Sequence, residues 1–183
     1  MRHRRKLGSR SGLTLVEIAI GMVVMTIGVL SFVHALISSS RTEMKNRELA
    51  RAMQAARLVL ESIEAESFSQ AFRRYNGAGV DDPGGANTAP GANFPVEGLS
   101  ALPDDPDGMP GEVIFPIFPG NPTQLREDQV IPELGMPRDL NGNGIDAFNH
   151  ATDYWILPVI VRVRWRSASG PGVYELKTVI GDY

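Results

Sequence analysis

The chain of 183 residues contains no cysteine. Disulfides, thiolate metal sites and cysteine nucleophiles are therefore excluded. Histidine is scarce as well: His3, His34 and His150 lie far apart in sequence and make no His-rich metal motif. No G-x-G-x-x-G opens a helix after a strand, and there is no Walker lysine loop, no H-E-x-x-H and no G-x-S-x-G. Serines are plentiful, but no histidine lies where a triad can be argued. The carboxylates gather in Pro/Gly-rich loops, where solvation keeps them ordinary, so an enzyme is not expected. Between residues 29 and 76 there is neither Gly nor Pro, and nothing in that stretch announces a helix end.

Acids are missing from the start of the chain. Arg2, Arg4, Arg5, Lys6 and Arg10 place five positive charges before residue 13, with no acid among them. The remainder has 13 bases against 21 acids, a formal charge of −8. A nucleic-acid binder carries its positive charge on the folded domain, and a body this negative repels phosphate backbones. Nucleic acid is set aside as a partner.

From Leu13 to Ile37 the chain is almost wholly apolar, broken by Glu17, His34 and small hydroxyl residues. Such a segment, at about 1.5 Å per residue, reaches about 37 Å and can cross a hydrocarbon core about 30 Å thick. The flanking bases place its N-terminal end in the cytoplasm and the rest of the chain outside. A cleaved secretory signal has a shorter apolar region without an acid. A plain anchor leaves Glu17 unexplained, since a charge in a spanning helix costs roughly 2.5–3.5 kcal/mol even on lenient insertion scales. Gly21 and Gly28, seven residues apart, share a helix face where small residues let neighbouring helices come close.

The stretch "G-LTLVEIAIGM" follows the short basic leader, with Gly12 before the apolar run and Glu17 as its fifth residue. It resembles the type IV prepilin signature, over about a third of the chain counting the leader and the first helix. The resemblance implies that a membrane-embedded prepilin peptidase cuts between Gly12 and Leu13 and that Leu13 is then N-methylated. Most members carry Phe where this chain has Leu13. It also implies that Glu17 of an incoming subunit attracts the N-terminal ammonium of a neighbour already in the filament, with Thr14, Gly21 and Gly28 taking part in assembly. A cation and a carboxylate in one apolar layer neutralise each other, which neither can do alone.

Beyond Ser40, Leu49, Met53, Ala56, Leu60 and Ile63 recur at helical spacing and predict one apolar stripe, with Arg41, Glu43, Lys45, Arg47 and Glu48 among the charges on other faces. One helix is expected from about Leu13 to about Phe68, roughly 80 Å long. Its first part, 13–37, would lie in a membrane or filament core, and its second, 38–68, against a sheet. Residues 69–111 read as an irregular Gly/Pro-rich loop; eight Gly and six Pro fall between Asn76 and Gly111. Residues 112–183 read as an antiparallel sheet region. "EVIFPIF", Glu112 to Phe118, is an edge-strand candidate because of Pro116. "YWILPVIVRVRWRS" and "GVYELKTVIGDY" alternate around "SASGPG", which predicts a hairpin. Val159, Val161, Val163 and Trp165 should face the helix. Arg162, Arg164 and Arg166 form a basic row on the other face, either solvated or a docking patch for an acidic partner.

Residues 139–153 hold "DLNGNGIDAFNHATD". Asp139, Asn141, Asn143 and the Ile145 carbonyl follow the first half of an EF-hand-type loop, and the segment resembles short Asp/Asn-Gly calcium loops of exported bacterial proteins. Where such a loop wants a bidentate Glu, this chain has His150, a poor ligand for a hard cation. Asp146 or Asp153 would have to substitute. A tight turn without any metal accounts for the same residues, so Ca2+ and a bare turn both stand.

The fold class expected is α+β, pilin-like: a long N-terminal helix packed on a small antiparallel sheet, behind a removable leader of residues 1–12. The resemblance implies a minor pilin or pseudopilin subunit of a type IV filament or type II secretion pseudopilus. Its partners would be other subunits, the prepilin peptidase and an inner-membrane assembly platform. It would first be single-pass in the bacterial inner membrane, then part of a periplasmic or cell-surface filament. The alternative is a bitopic envelope protein whose outward domain binds a ligand or protein and does not polymerise.

Overall fold

A computed structural model describes residues 14–182. The long helix is α1, Leu15–Ala65, followed by a short α2, Phe68–Tyr75. The strands are β1 (Asn93–Phe94), β2 (Gly111–Ile114), β3 (Ile117–Phe118), β4 (Asn121–Leu125), β5 (Ile156–Ser167) and β6 (Gly170–Gly181). An α+β layout, with one long apolar N-terminal helix and a small antiparallel sheet, is what the sequence led us to expect. The chain divides into two units, the first ending at Glu43 and the second beginning at Met44.

In the first unit α1 is apolar from Leu15 to Ile37 but for Glu17, His34 and small hydroxyl residues. Leu15, Val16, Ile18, Ile20, Met22 and the large apolar residues up to Ile37 are exposed. The helix is long and apolar enough to cross a membrane, and none of that stretch is buried within the chain.

In the second unit Ala52, Ala56 and Ile63 of α1 join one core with Val113, Leu157, Val159, Val161, Val163 and Trp165. The expected stripe is therefore turned. Leu49 is exposed and Met53 only half-buried, while Ala52 takes the inward place. Small residues at 52 and 56 let the helix backbone approach the sheet closely, which a Leu in their place would prevent. Trp165 Nε1 donates to Glu48 Oε2 at 3.1 Å, and the Arg51 guanidinium donates to the Gly98 carbonyl at 3.2 Å.

The helix expected to reach Phe68 ends at Ala65, and α2, after its first residue, lies within the 69–111 segment expected to be loop. No Pro or Gly causes this break. Ser67 is extended, with φ −62° and ψ 128°, and the chain restarts so that Phe72 packs edge-on against Phe115, ring centroids 5.4 Å apart. The Tyr154 hydroxyl donates to the Phe68 carbonyl and accepts from the Phe72 N–H, the same i, i+4 pair that a helix joins.

The main sheet has the order β1-β2-β5-β6, all antiparallel. "EVIFPIF" is thus not one edge strand. Its first half, in β2, lies inside the sheet because Asn93 and Phe94 pair with it. Its second half, β3, pairs with β4 in a separate two-stranded sheet. Pro116 sits at the break. The hairpin is as expected, with Ser167 opposite Gly170 and a two-residue turn between them. The basic row is ion-paired. Arg162 lies between Glu175, at 2.7 Å, and Glu112, at 3.9 Å, and Arg164 lies 4.0 Å from Asp105. Ion pairs account for two of the three arginines without any docking partner, Arg162 through cross-strand partners and Arg164 through Asp105 of the loop before β2.

Candidate functional site

Two regions carry chemistry that packing alone does not explain. At the start of α1, Thr14 and Glu17 hold each other. Glu17 Oε2 accepts from the Thr14 N–H at 2.8 Å and from its hydroxyl at 2.9 Å, while the Glu17 N–H donates to Thr14 Oγ1 at 3.2 Å. This is a capping box, in which Thr and a Glu three residues on satisfy helix-end donors reciprocally. The T-x-x-E spacing before an apolar run was legible in the sequence, and reading Glu17 only as a partner for another subunit overlooked it. Gly21 and Gly28 both face open space, with no atom of the chain within 4 Å of where a Cβ would stand. The expected cut between Gly12 and Leu13 lies outside the described residues.

The second region is the loop after β4. Leu125 ends that strand, and its backbone docks the loop: its N–H donates to Asn149 Oδ1 at 3.1 Å and its carbonyl accepts from the His150 N–H at 2.9 Å. The docking brings Glu127, Asp146 and His150 together, one ligand atom from each lying within 4.8 Å of the others. Glu127 is fully buried. Its Oε1 accepts from the Leu140 N–H at 2.6 Å, and its Oε2 from the Asp146 N–H at 3.2 Å. His150, also buried, has Nε2 at 2.9 Å from Asp146 Oδ1 and 3.7 Å from Glu127 Oε2. On its other side Nδ1 lies 3.2 Å from Asp153 Oδ1.

Both imidazole nitrogens thus face carboxylates, which suits a doubly protonated ring that donates at each. Burial pushes the His150 pKa down, but the hydrogen bonds to Asp146 and Asp153 and the nearby charges of Glu127 and Asp153 outweigh it, so the net direction is up. Asp146 is held below the usual carboxylate range by the Phe148 N–H and by the His150 hydrogen bond.

The expected calcium ligands are divided by this arrangement. Asp139 Oδ1 accepts from the N–H groups of Asn141 and Gly142 at 3.2 and 2.6 Å, and Oδ2 accepts from Gly144 at 2.9 Å. Those bonds close the turn. Asn141 instead turns toward His150 and Asp153, donating to Asp153 Oδ2 at 2.9 Å. Asn143 and Ile145 are exposed. Asp146 and Asp153 do come together, but around His150. Sequence reading set His150 aside as a ligand and missed Glu127 altogether, since nothing in "LREDQV" marks which acid is buried.

No family model matches this chain, no curated protein matches it, and no solved structure does.

Proposed function

We propose that the chain is a non-catalytic filament subunit, a minor pilin or pseudopilin, assembled through packing of α1. The observation that carries this reading is Glu17, the one acid in the Leu15 to Ile37 stretch of α1, whose large apolar residues are exposed and not buried within their own chain. Apolar surface on that scale needs lipid, other copies of the helix, or each in turn. Gly21 and Gly28, open on the same helix, suit close helix–helix approach. The basic leader and the Gly12–Leu13 junction are consistent with insertion N-terminus inward, removal of residues 1–12 and methylation of Leu13. The subunit would then pass from the inner membrane into a filament beyond it, with a prepilin peptidase and an assembly platform as partners.

The capping box favours a second reading, because it gives Glu17 work within its own chain. On that reading the protein is bitopic, with an outward binding domain that never polymerises. Expression alongside a prepilin peptidase separates the two. The filament reading expects the intact mass to fall by residues 1–12 and to gain one methyl group, and expects the processed chain to co-purify with sheared filaments. An unprocessed chain that stays with the membrane overturns it.

A further inference from the structure

We propose that Glu127, Asp146 and His150 form a structural site for a divalent transition cation of the Zn2+ type, which fastens the 139–153 loop to the end of β4. The inference stands apart from the filament reading and uses none of its residues.

Geometry comes first. Zinc bonds of about 2.0–2.1 Å in a tetrahedron set neighbouring ligand atoms about 3.3–3.4 Å apart. His150 Nε2 lies 2.9 Å from Asp146 Oδ1 and 3.7 Å from Glu127 Oε2, on either side of that spacing. All three ligand atoms lie within 4.8 Å of one another, so closing these side chains around one point would complete three ligand positions and leave a fourth for water.

The surroundings are those of a built metal site. A ligating imidazole needs its other nitrogen fixed by an acceptor, which sets the tautomer and raises ligand basicity. Asp153 Oδ1 stands 3.2 Å from Nδ1, and Asn141 Nδ2 steadies the other Asp153 oxygen at 2.9 Å. The carboxylate ligands are oriented too, Glu127 by the Leu140 N–H and Asp146 by the Phe148 N–H. Charge points the same way. Glu127, Asp146 and Asp153 surround one imidazole, so even a protonated ring sets one positive charge against three carboxylates, of which Glu127 is fully buried. The adjacent Arg126 is engaged by Asp128 through two hydrogen bonds, at 2.9 and 2.6 Å.

Ligand chemistry selects the ion. One imidazole with two carboxylates suits zinc or a neighbouring transition metal, whereas calcium asks for six to eight oxygens. The ligands come from three points of the chain, 127, 146 and 150, so a bound ion would tie the loop to β4 as a clip.

The test uses the full-length chain without a histidine tag, in detergent micelles, stripped by chelator and titrated with Zn2+ against a chromophoric competitor. One equivalent of Zn2+ should bind and raise the melting temperature, Ca2+ should do neither, and Co2+ should give the visible bands of a low-coordinate site. His150→Gln and Glu127→Gln should remove the tight equivalent. Asp153→Asn, which leaves all three ligands in place, should weaken it roughly 10–100-fold. Asp139→Asn should leave Zn2+ affinity unchanged. If a ligand variant fails to fold, shown by loss of cooperative melting in chelator, the Asp153 and Asp139 variants still decide. Zn2+ binding that is absent, or untouched by Asp153→Asn, overturns the proposal. So does tight Ca2+ binding that Asp139→Asn abolishes, which would return the site to the Asp/Asn turn.

Discussion

Thr14 and Glu17 satisfy one another across the first turn of α1, with Oε2 of the glutamate accepting both the N–H and the hydroxyl of the threonine. The carboxylate therefore has two separable properties, its hydrogen-bonding oxygen and its charge. Glu17→Gln keeps an acceptor for Thr14 and removes the charge, whereas Glu17→Leu removes both. If the charge serves assembly, Glu17→Gln should still insert and lose residues 1–12, yet enter filaments at least about tenfold less, because it leaves a neighbour's buried ammonium without a counter-charge. Quantifying the subunit in sheared filaments against the membrane pool checks this. Wild-type incorporation of Glu17→Gln would reduce Glu17 to a helix cap.

Trp165 and Gly172 are opposite each other in the hairpin. A Cβ on Gly172 would lie 2.3 Å from the indole ring, which is itself held by Glu48. Gly172→Ala must push that ring off the helix, so we expect a loss of about 1–3 kcal/mol, the usual range for overpacking. Trp165→Phe should relieve part of the effect while losing about 1 kcal/mol for the Glu48 bond. Urea unfolding of the two single variants and the double variant measures both effects. Additive losses would show that the indole does not transmit the strain.

The ion-paired row makes a pH prediction. Lys177 and Arg162 bond the two oxygens of Glu175 at 2.9 and 2.7 Å. The Lys177 bond foremost, with that of Arg162 behind it, holds the Glu175 pKa below its ordinary value despite partial burial. A depressed folded pKa means that the contribution is fully present above the unfolded value near 4.3 and is lost as pH falls through the folded value. Glu175→Gln should therefore be less stable than wild type by about 0.5–1 kcal/mol at neutral pH. The two should converge as pH falls below that unfolded value. Melting curves across that range decide it, and a gap that persists in acid would assign the effect to packing.

Some of this architecture was legible in the sequence because the signal was periodic and local. The apolar run of α1 and the alternation of Val159, Val161, Val163 and Trp165 needed no partner to be recognised. The phase of the helix stripe was harder to read. Leu49 and Met53 outrank Ala52 in hydrophobicity, yet the small alanines are what the sheet can approach. Asn93 and Phe94 became a strand only because β2 offered an edge, and Gly111 accommodates the Phe94 ring, which a Cβ there would meet at 2.2 Å. The cluster at Glu127 and His150 spans 23 positions and is assembled by Leu125 docking two distant segments. A search for ligands at alternate positions in one loop could not find it.

The break between α1 and α2 was invisible for the same reason, and it yields the last prediction. Residues 66 and 67 are Glu and Ser, neither of which stops a helix strongly. What makes the second helix stand apart is Tyr154, 86 positions after Phe68, whose buried hydroxyl bridges Phe68 and Phe72 while its ring lies 4.8 Å from that of Phe68. Tyr154→Phe preserves the ring contact and deletes only the bridge. It should cost about 1–3 kcal/mol, the loss expected when buried polar groups are left without a partner. Because the bridge is local to α2, hydrogen exchange should quicken first at the Phe72 amide and its neighbours, with the β5–β6 amides unchanged. Exchange that rose equally in the sheet would mean that Tyr154 supports the whole core, and that the start of α2 is set by Phe72 packing on Phe115 instead.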